Sequence, residues 1–217
     1  MRNFLNKYKH IWTLLYAFIY LPWFCYLEKN VTKNFNIIHM KIDDIIPFCE
    51  YFIIPYLLWF FYVGIVLFYL FLKDIPNYYK NCLFLFTGMT IFLIISTIYP
   101  NGHTLRPIIF ENENIFTIMV KNLYVTDTCT NIFPSIHVYN SIGAHLGVIS
   151  NKTLKKNKKI ICFSTLLMIS IILSTMFLKQ HSFFDVITAL ALSLLMYLIV
   201  YKVEFKLLKK KIKFKIA

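Results

Sequence analysis

Two histidines, an aspartate and an arginine stand out in a chain made mostly of apolar residues. In "LKQHSFFDV", residues 178–186, His181 and Asp185 are four positions apart. On a helix that is one turn, so the carboxylate can accept a ring N–H and fix the imidazole tautomer. The other ring nitrogen is then free as nucleophile or base, although the same pair also serves as a structural arrangement at helix starts. In "NIFPSIHV", residues 131–138, Pro134 suits a first helical turn or the position before it, and Ser135 can cap the helix. Backbone N–H groups at such a start face outward with the positive end of the helix dipole, which outlines an anion cradle. His137, in the same turn, either donates a proton to a leaving oxygen or is a hydrogen-bonded interfacial histidine.

Arg106 is one of only two arginines beside 21 lysines, the other being Arg2. Its retention in "LRP" points to a need for the planar fork that grips phosphate oxygens bidentately. Lys179 either adds a point charge to the same site or snorkels to the membrane edge.

These residues must be carried by membrane-spanning helices. The chain is 59% hydrophobic and only 15% charged, against roughly 25% charged in soluble domains. Apolar runs at 11–27, 51–72, 81–99, 159–178 and 183–201 each approach the length that crosses hydrocarbon as a helix. A sixth, weaker run over 135–150 contains Ser, Asn and His and suits a helix lining a polar interior. The expected architecture is all-α: a polytopic membrane protein, one six-helix bundle over residues 1–217, with its active site at the outer membrane face.

The net charge of +13 does not point to nucleic acid, because the charges sit in the gaps between apolar runs. With a cytoplasmic amino terminus, the segments 1–10, 73–80, 151–159 and 202–217 hold 17 of the 23 Lys and Arg residues. That fits the positive-inside tendency with both ends cytoplasmic. The tail "KLLKKKIKFK" reads as a cytoplasmic anchor beside anionic lipid. The first apolar run has no small-residue cleavage site after it and reads as a retained span. Five cysteines lack CxxC spacing, which indicates neither a zinc site nor a disulfide framework. His10, His39 and His145 read as structural or interfacial. The stretch 100–134 is the longest outside the spans, and a loop of that length in so compact a chain is usually functional. Under this topology the islands 101–107, 134–137 and 179–185 all reach one membrane edge and can form one site.

Arg106-Pro107, then Pro134-Ser135-Ile136-His137, then His181-x3-Asp185, in that order, resembles the type 2 phosphatidic acid phosphatase superfamily. Its motifs are Lys-x6-Arg-Pro, Pro-Ser-Gly-His and Ser-Arg-x5-His-x3-Asp. The resemblance implies that His181 is the nucleophile forming a phospho-histidine, Asp185 its orienting partner and His137 the acid for the leaving group. Arg106 and the Ser135 region resemble phosphate binders. Three positions depart from the pattern: Tyr99 stands at the Lys of the first motif, Ile136 at the Gly of the second and Thr175 at the Arg of the third, while Ser174 is kept. Lys179, one turn after Thr175, and His103 in "NGHTLRP" are candidates to replace the missing cations. The departures also resemble branches that move a phospho-headgroup between lipids, such as the inositolphosphoceramide and sphingomyelin synthases.

The expected function is therefore a membrane lipid phosphatase acting on a phosphomonoester or pyrophosphate, with headgroup transfer as the alternative. Its partners are a lipid phosphate substrate and membrane lipids. No cofactor or metal is expected, since no tight Asp/Glu cluster of the kind that holds Mg is present. A transporter would place polar groups through the depth of several spans, yet the second and third are almost bare of them. A catalytically dead lipid-binding relative would follow from the lost cations. The Lys-, Asn-, Ile- and Phe-rich composition suggests an AT-rich genome and a bacterial inner membrane as the site of residence.

Overall fold

The computed structural model describes residues 9–203; Arg2 and the lysine-rich tail lie outside the described residues. A 3-10 segment, Lys9–Tyr16, runs into helix α1, Ala17–Asn30. A two-residue strand β1, Asn36–Ile37, and the short helix α2, Lys41–Ile45, follow. Helix α3 is Ile53–Lys73 and α4 is Ile75–Ile98. After strand β2, Asn101–Gly102, come α5, Ile115–Thr126, and α6, Ile136–Ser150. Helices α7, Lys158–Phe177, and α8, Phe183–Tyr197, complete the fold, and a π-helical turn, Leu198–Val203, extends α8.

Helices α4, α6, α7 and α8 begin where the sequence supplies a cap. The Asp74 side chain accepts the Asn77 N–H and Pro76 sits in the first turn of α4, which breaks the chain sharply from α3. Ser135, Asn157 and Ser182 accept first-turn N–H groups of α6, α7 and α8. Five helical stretches are long and apolar enough to cross a membrane: Lys9–Asn30, Glu50–Lys73, Ile75–Ile98, Lys158–Phe177 and Phe183–Lys202. Large apolar side chains such as Phe18, Phe61, Phe68, Phe163 and Leu194 point away from the bundle. A soluble domain could not leave so much apolar surface uncovered; against hydrocarbon it is the favoured arrangement.

The sixth expected helix, α6, is the axis of the bundle. It packs against α3, α4, α7 and α8, and ten of its 15 residues are buried. Its small residues permit that. A Cβ added at Gly143 would meet Leu85 Cδ2 at 2.5 Å, and one at Gly88 of α4 would meet the Tyr139 ring at 2.1 Å. Tyr139 stacks on Phe84, with ring centroids 4.5 Å apart, and donates its hydroxyl proton to the Phe84 carbonyl. The polar residues that made this run a weak span in the sequence thus face other helices, where hydrogen bonds absorb them. One example is His145, whose Nδ1 lies 2.9 Å from Ser164 Oγ of α7.

Two segments differ from the sequence reading. The stretch 100–134 is not a bare loop: Asn114 caps α5, and Val120 and Leu178 pack with Ile53 and Tyr56 to fasten that helix on the bundle. The stretch 34–52, "NFNIIHMKIDDIIPFCEYF", whose partly polar sequence with apolar positions at mixed spacing reads as a segment along the outer interface, is tied inward. Strand β1 pairs in parallel with β2, and the Cys49 N–H donates to the Phe177 carbonyl.

Candidate active site

The starts of α6 and α8 meet at one end of the bundle, where the Ser135 N–H donates to the Asp185 carbonyl at 3.4 Å. That contact places His137 and His181 side by side, with His137 Nδ1 3.3 Å from His181 Nε2. On its other side His181 Nδ1 lies 3.5 Å from Asp185 Oδ2. The order is thus Asp185, His181, His137 in one line. Asp185 is fully buried, and its Oδ2 also accepts the Ser182 N–H, so the carboxylate is locked in the first turn of α8. His181 Nδ1 makes no hydrogen bond at this distance, but the nearby Asp185 carboxylate favours a proton on it, which leaves Nε2 as the lone-pair nitrogen. His137 is held against Tyr56 and Trp59 of α3, with ring centroids 4.6 and 4.5 Å away.

Both histidines line a pocket whose other wall comes from α1 and from the segment after α5, including Glu28, Asp127, Thr128 and Asn131. Of the seven residues singled out by sequence, the structure brings His137, His181, Asp185 and Ser135 into one constellation. The remaining three have different partners. Arg106 donates to the carbonyls of Tyr124, Asp127 and Thr128 and to Gln180 Oε1, and its guanidinium carbon lies 4.3 Å from the Tyr124 ring centre. It therefore satisfies the carbonyls that end α5, directly behind the pocket wall, and its Nε has no hydrogen-bond partner.

Lys179 occupies the left-handed position after α7, with φ 52°, where glycine is the usual residue. Its ammonium donates to the carbonyls of Asp43 and Ile46 and points toward α2 rather than into the pocket. Burial lowers its pKa, with the charges of Asp43 and Asp44 opposing that shift. His103 is buried. Its Nδ1 accepts the Leu105 N–H, so Nε2 carries the proton and faces the Gln180 carbonyl at 3.0 Å. Burial, reinforced by the charges of Arg106 and His181, pushes its pKa down to about 3, and it stays a neutral link between two loops.

Several site residues carried no signal in the sequence. Asp43 of α2 accepts the Ser182 hydroxyl at 2.6 Å and the Phe183 N–H at 2.7 Å, so a carboxylate from a distant segment holds the turn that bears His181. Gln180 bridges Arg106 to Asp127, and Tyr56 donates to Asp127 Oδ2 at 2.6 Å. These contacts join residues 53 to 140 positions apart, and no local spacing reveals them. Gln180 alone had a local clue, standing between two residues already singled out.

Residues 113–209 match the family model of the PAP2 superfamily. This stretch belongs to that superfamily. It contains Ser135, His137, Lys179, His181 and Asp185, the residues of the second and third motifs, and begins after His103 and Arg106. The match to the PAP2 superfamily points to phosphatase- or phosphotransferase-type lipid chemistry. The long apolar helices that frame the match make the chain an integral membrane protein. No curated protein and no solved structure matches it.

Proposed function

We propose that this PAP2 superfamily chain is a lipid phosphate phosphatase acting through a phospho-histidine. The observation that carries the reading is the buried line of Asp185, His181 and His137 at one end of the bundle. His181 Nε2 attacks phosphorus, the bond from phosphorus to the ester oxygen breaks, and His137 gives that oxygen a proton. Water, losing a proton to His137, then attacks phosphorus, the phosphorus–nitrogen bond breaks with its electron pair returning to His181 Nε2, and phosphate leaves. The present 3.3 Å contact between the rings closes the space a phosphoryl group needs, so substrate entry parts them. The free N–H groups of the first turn of α6, and the guanidinium of Arg106 once Gln180 yields it, meet the charge on the equatorial oxygens.

In this reading α6 is a sixth span, the site faces the outer side, and both termini are cytoplasmic. A lipid phosphate then keeps its acyl chains beside the outward-facing apolar side chains while its headgroup enters between α1, α6 and α8. A second reading, transfer of a phospho-headgroup to a lipid alcohol, is favoured by one observation: the charged side chains lining the pocket are carboxylates. Phosphate release from a panel of lipid phosphates by the purified protein tests the proposal. Release lost in His181→Ala and strongly reduced in Arg106→Ala supports it; headgroup transfer without release moves the assignment to the second reading. Release that survives His181→Ala removes the phospho-histidine.

A further inference from the structure

The pocket beside the histidines is built to receive hydrogen-bond donors. Glu28 and Asp127 both line it, and among the described lining residues there is no Lys or Arg. Phosphate oxygens are acceptors, so these carboxylates do not serve the phosphoryl group itself. Both are fixed in place. Glu28 Oε2 accepts the Thr128 hydroxyl at 2.6 Å and Glu28 Oε1 accepts from Asn131 Nδ2 at 2.9 Å. Asp127 Oδ2 accepts from Tyr56 and from Gln180 Nε2. A carboxylate offers about four lone-pair sites, so Asp127 keeps acceptor capacity beyond these two bonds.

An independent observation points to a missing donor. Asn131 lines the same pocket and is 5% exposed, held at φ 54°, and its Oδ1 has no hydrogen-bond partner. A buried carbonyl oxygen without a donor costs about 1–3 kcal/mol, so a pocket that leaves one is incomplete. The free space is about 30 Å³, room for one or two groups the size of a water molecule. That suits a hydroxyl or an ammonium. Phe24 and Phe92 close its apolar side.

We infer that Glu28, Asp127 and Asn131 form a headgroup subsite that binds a hydroxyl or ammonium group borne by an alcohol esterified to the reacting phosphorus. The inference rests on the second reading, transfer of a phospho-headgroup through His181, and gives it a substrate class: lipids whose phosphate carries a donor-bearing headgroup.

Binding to the full-length His181→Ala protein in detergent tests the subsite without turnover. Calorimetry would compare three dihexanoyl lipids that differ only in headgroup: phosphatidylmethanol, which has no donor, phosphatidylglycerol, with hydroxyls, and phosphatidylethanolamine, with an ammonium. At least one donor-bearing lipid should bind tenfold or more tightly than phosphatidylmethanol. Adding Glu28→Gln or Asp127→Asn should bring that ratio close to one while phosphatidylmethanol binding stays within about twofold. Two substitutions are used because either alone could disturb the local fold. Which of the two lipids gains identifies the donor as hydroxyl or ammonium. Equal binding of all three, or a preference untouched by both substitutions, overturns the subsite. A preference that persists although the wild-type protein turns over none of the lipids supports the subsite and removes only the catalytic reading.

Discussion

At the residue scale, the role of Asp185 can be separated from its place in the helix cap. An asparagine at 185 keeps an oxygen to accept the Ser182 N–H, so the first turn of α8 survives. It supplies no charge to hold a proton on His181 Nδ1 or to stabilise an imidazolium. Asp185→Asn is therefore expected to keep its melting temperature within a few degrees while turnover falls by about 10²–10⁴-fold with KM little changed. Steady-state phosphate release beside thermal unfolding checks it. His103 makes a prediction of the opposite kind, touching stability and not chemistry. Its native pKa is lowered to about 3 from an ordinary value of 6.5. Between those values the unfolded chain binds a proton that the native chain does not, so stability falls as pH drops through that window and is unaffected above it. Thermal unfolding from pH 7 to pH 4 should show this decline, and His103→Gln, which cannot titrate, should show a shallower one. A His103→Gln profile parallel to wild type would mean that other groups carry the acid response.

Among the elements, the segment outside the spans that matters most is the shortest helix. Helix α2 contributes Asp43, whose carboxylate accepts from the Ser182 hydroxyl and the Phe183 N–H and so sits at the positive end of the α8 dipole. Lys179 grips the carbonyls of Asp43 and Ile46 and completes the fastening. Asp43→Ala leaves the buried Ser182 hydroxyl and the half-buried Phe183 and Met40 N–H groups without this acceptor, a loss of about 1–3 kcal/mol for a buried donor, and frees the turn that carries His181. Both melting temperature and turnover should drop; Asp43→Asn, whose single amide oxygen can replace only one of the two accepting carboxylate oxygens, should recover only part of the stability. Turnover that stays at the wild-type level in Asp43→Ala would show that His181 is positioned without α2. The sequence announced α3, α4, α7 and α8 through apolar runs, and His181 with Asp185 through a one-turn spacing, because both signals are local. It did not announce α2 as a clamp, the helical nature of residues 115–126 or the true partners of Arg106 and Lys179. Those depend on contacts between distant segments: Lys179 reaches a carbonyl 136 positions away.

For the whole molecule, the arrangement of charge relative to the site bears on orientation. The two histidines, α2, α5 and both β-strands cluster at one end of the bundle, and the described lysines at 73, 80, 152, 155, 156, 158 and 159 lie in the turns or the adjoining helix ends at the other. The orientation proposed above keeps the lysine-rich turns on the cytoplasmic side and so puts the pocket outside, where a lipid headgroup in the outer leaflet would reach it without crossing the bilayer. Five helical stretches meet the requirements for a span, and α6, surrounded by the others, is about 22 Å long, shorter than the roughly 30 Å of hydrocarbon. Its neighbours shield it from lipid, so a short, polar helix can occupy the bundle axis without exposing backbone. Orientation is testable with single cysteines placed at exposed positions in a background whose five native cysteines are replaced. Glu113→Cys, just before α5, should react with a membrane-impermeant maleimide in intact cells. Lys155→Cys, in the turn between α6 and α7, should react only after permeabilisation. The opposite labelling pattern would invert the protein and put the site on the cytoplasmic leaflet; labelling of both in intact cells would mean that α6 and its neighbours do not separate the two faces.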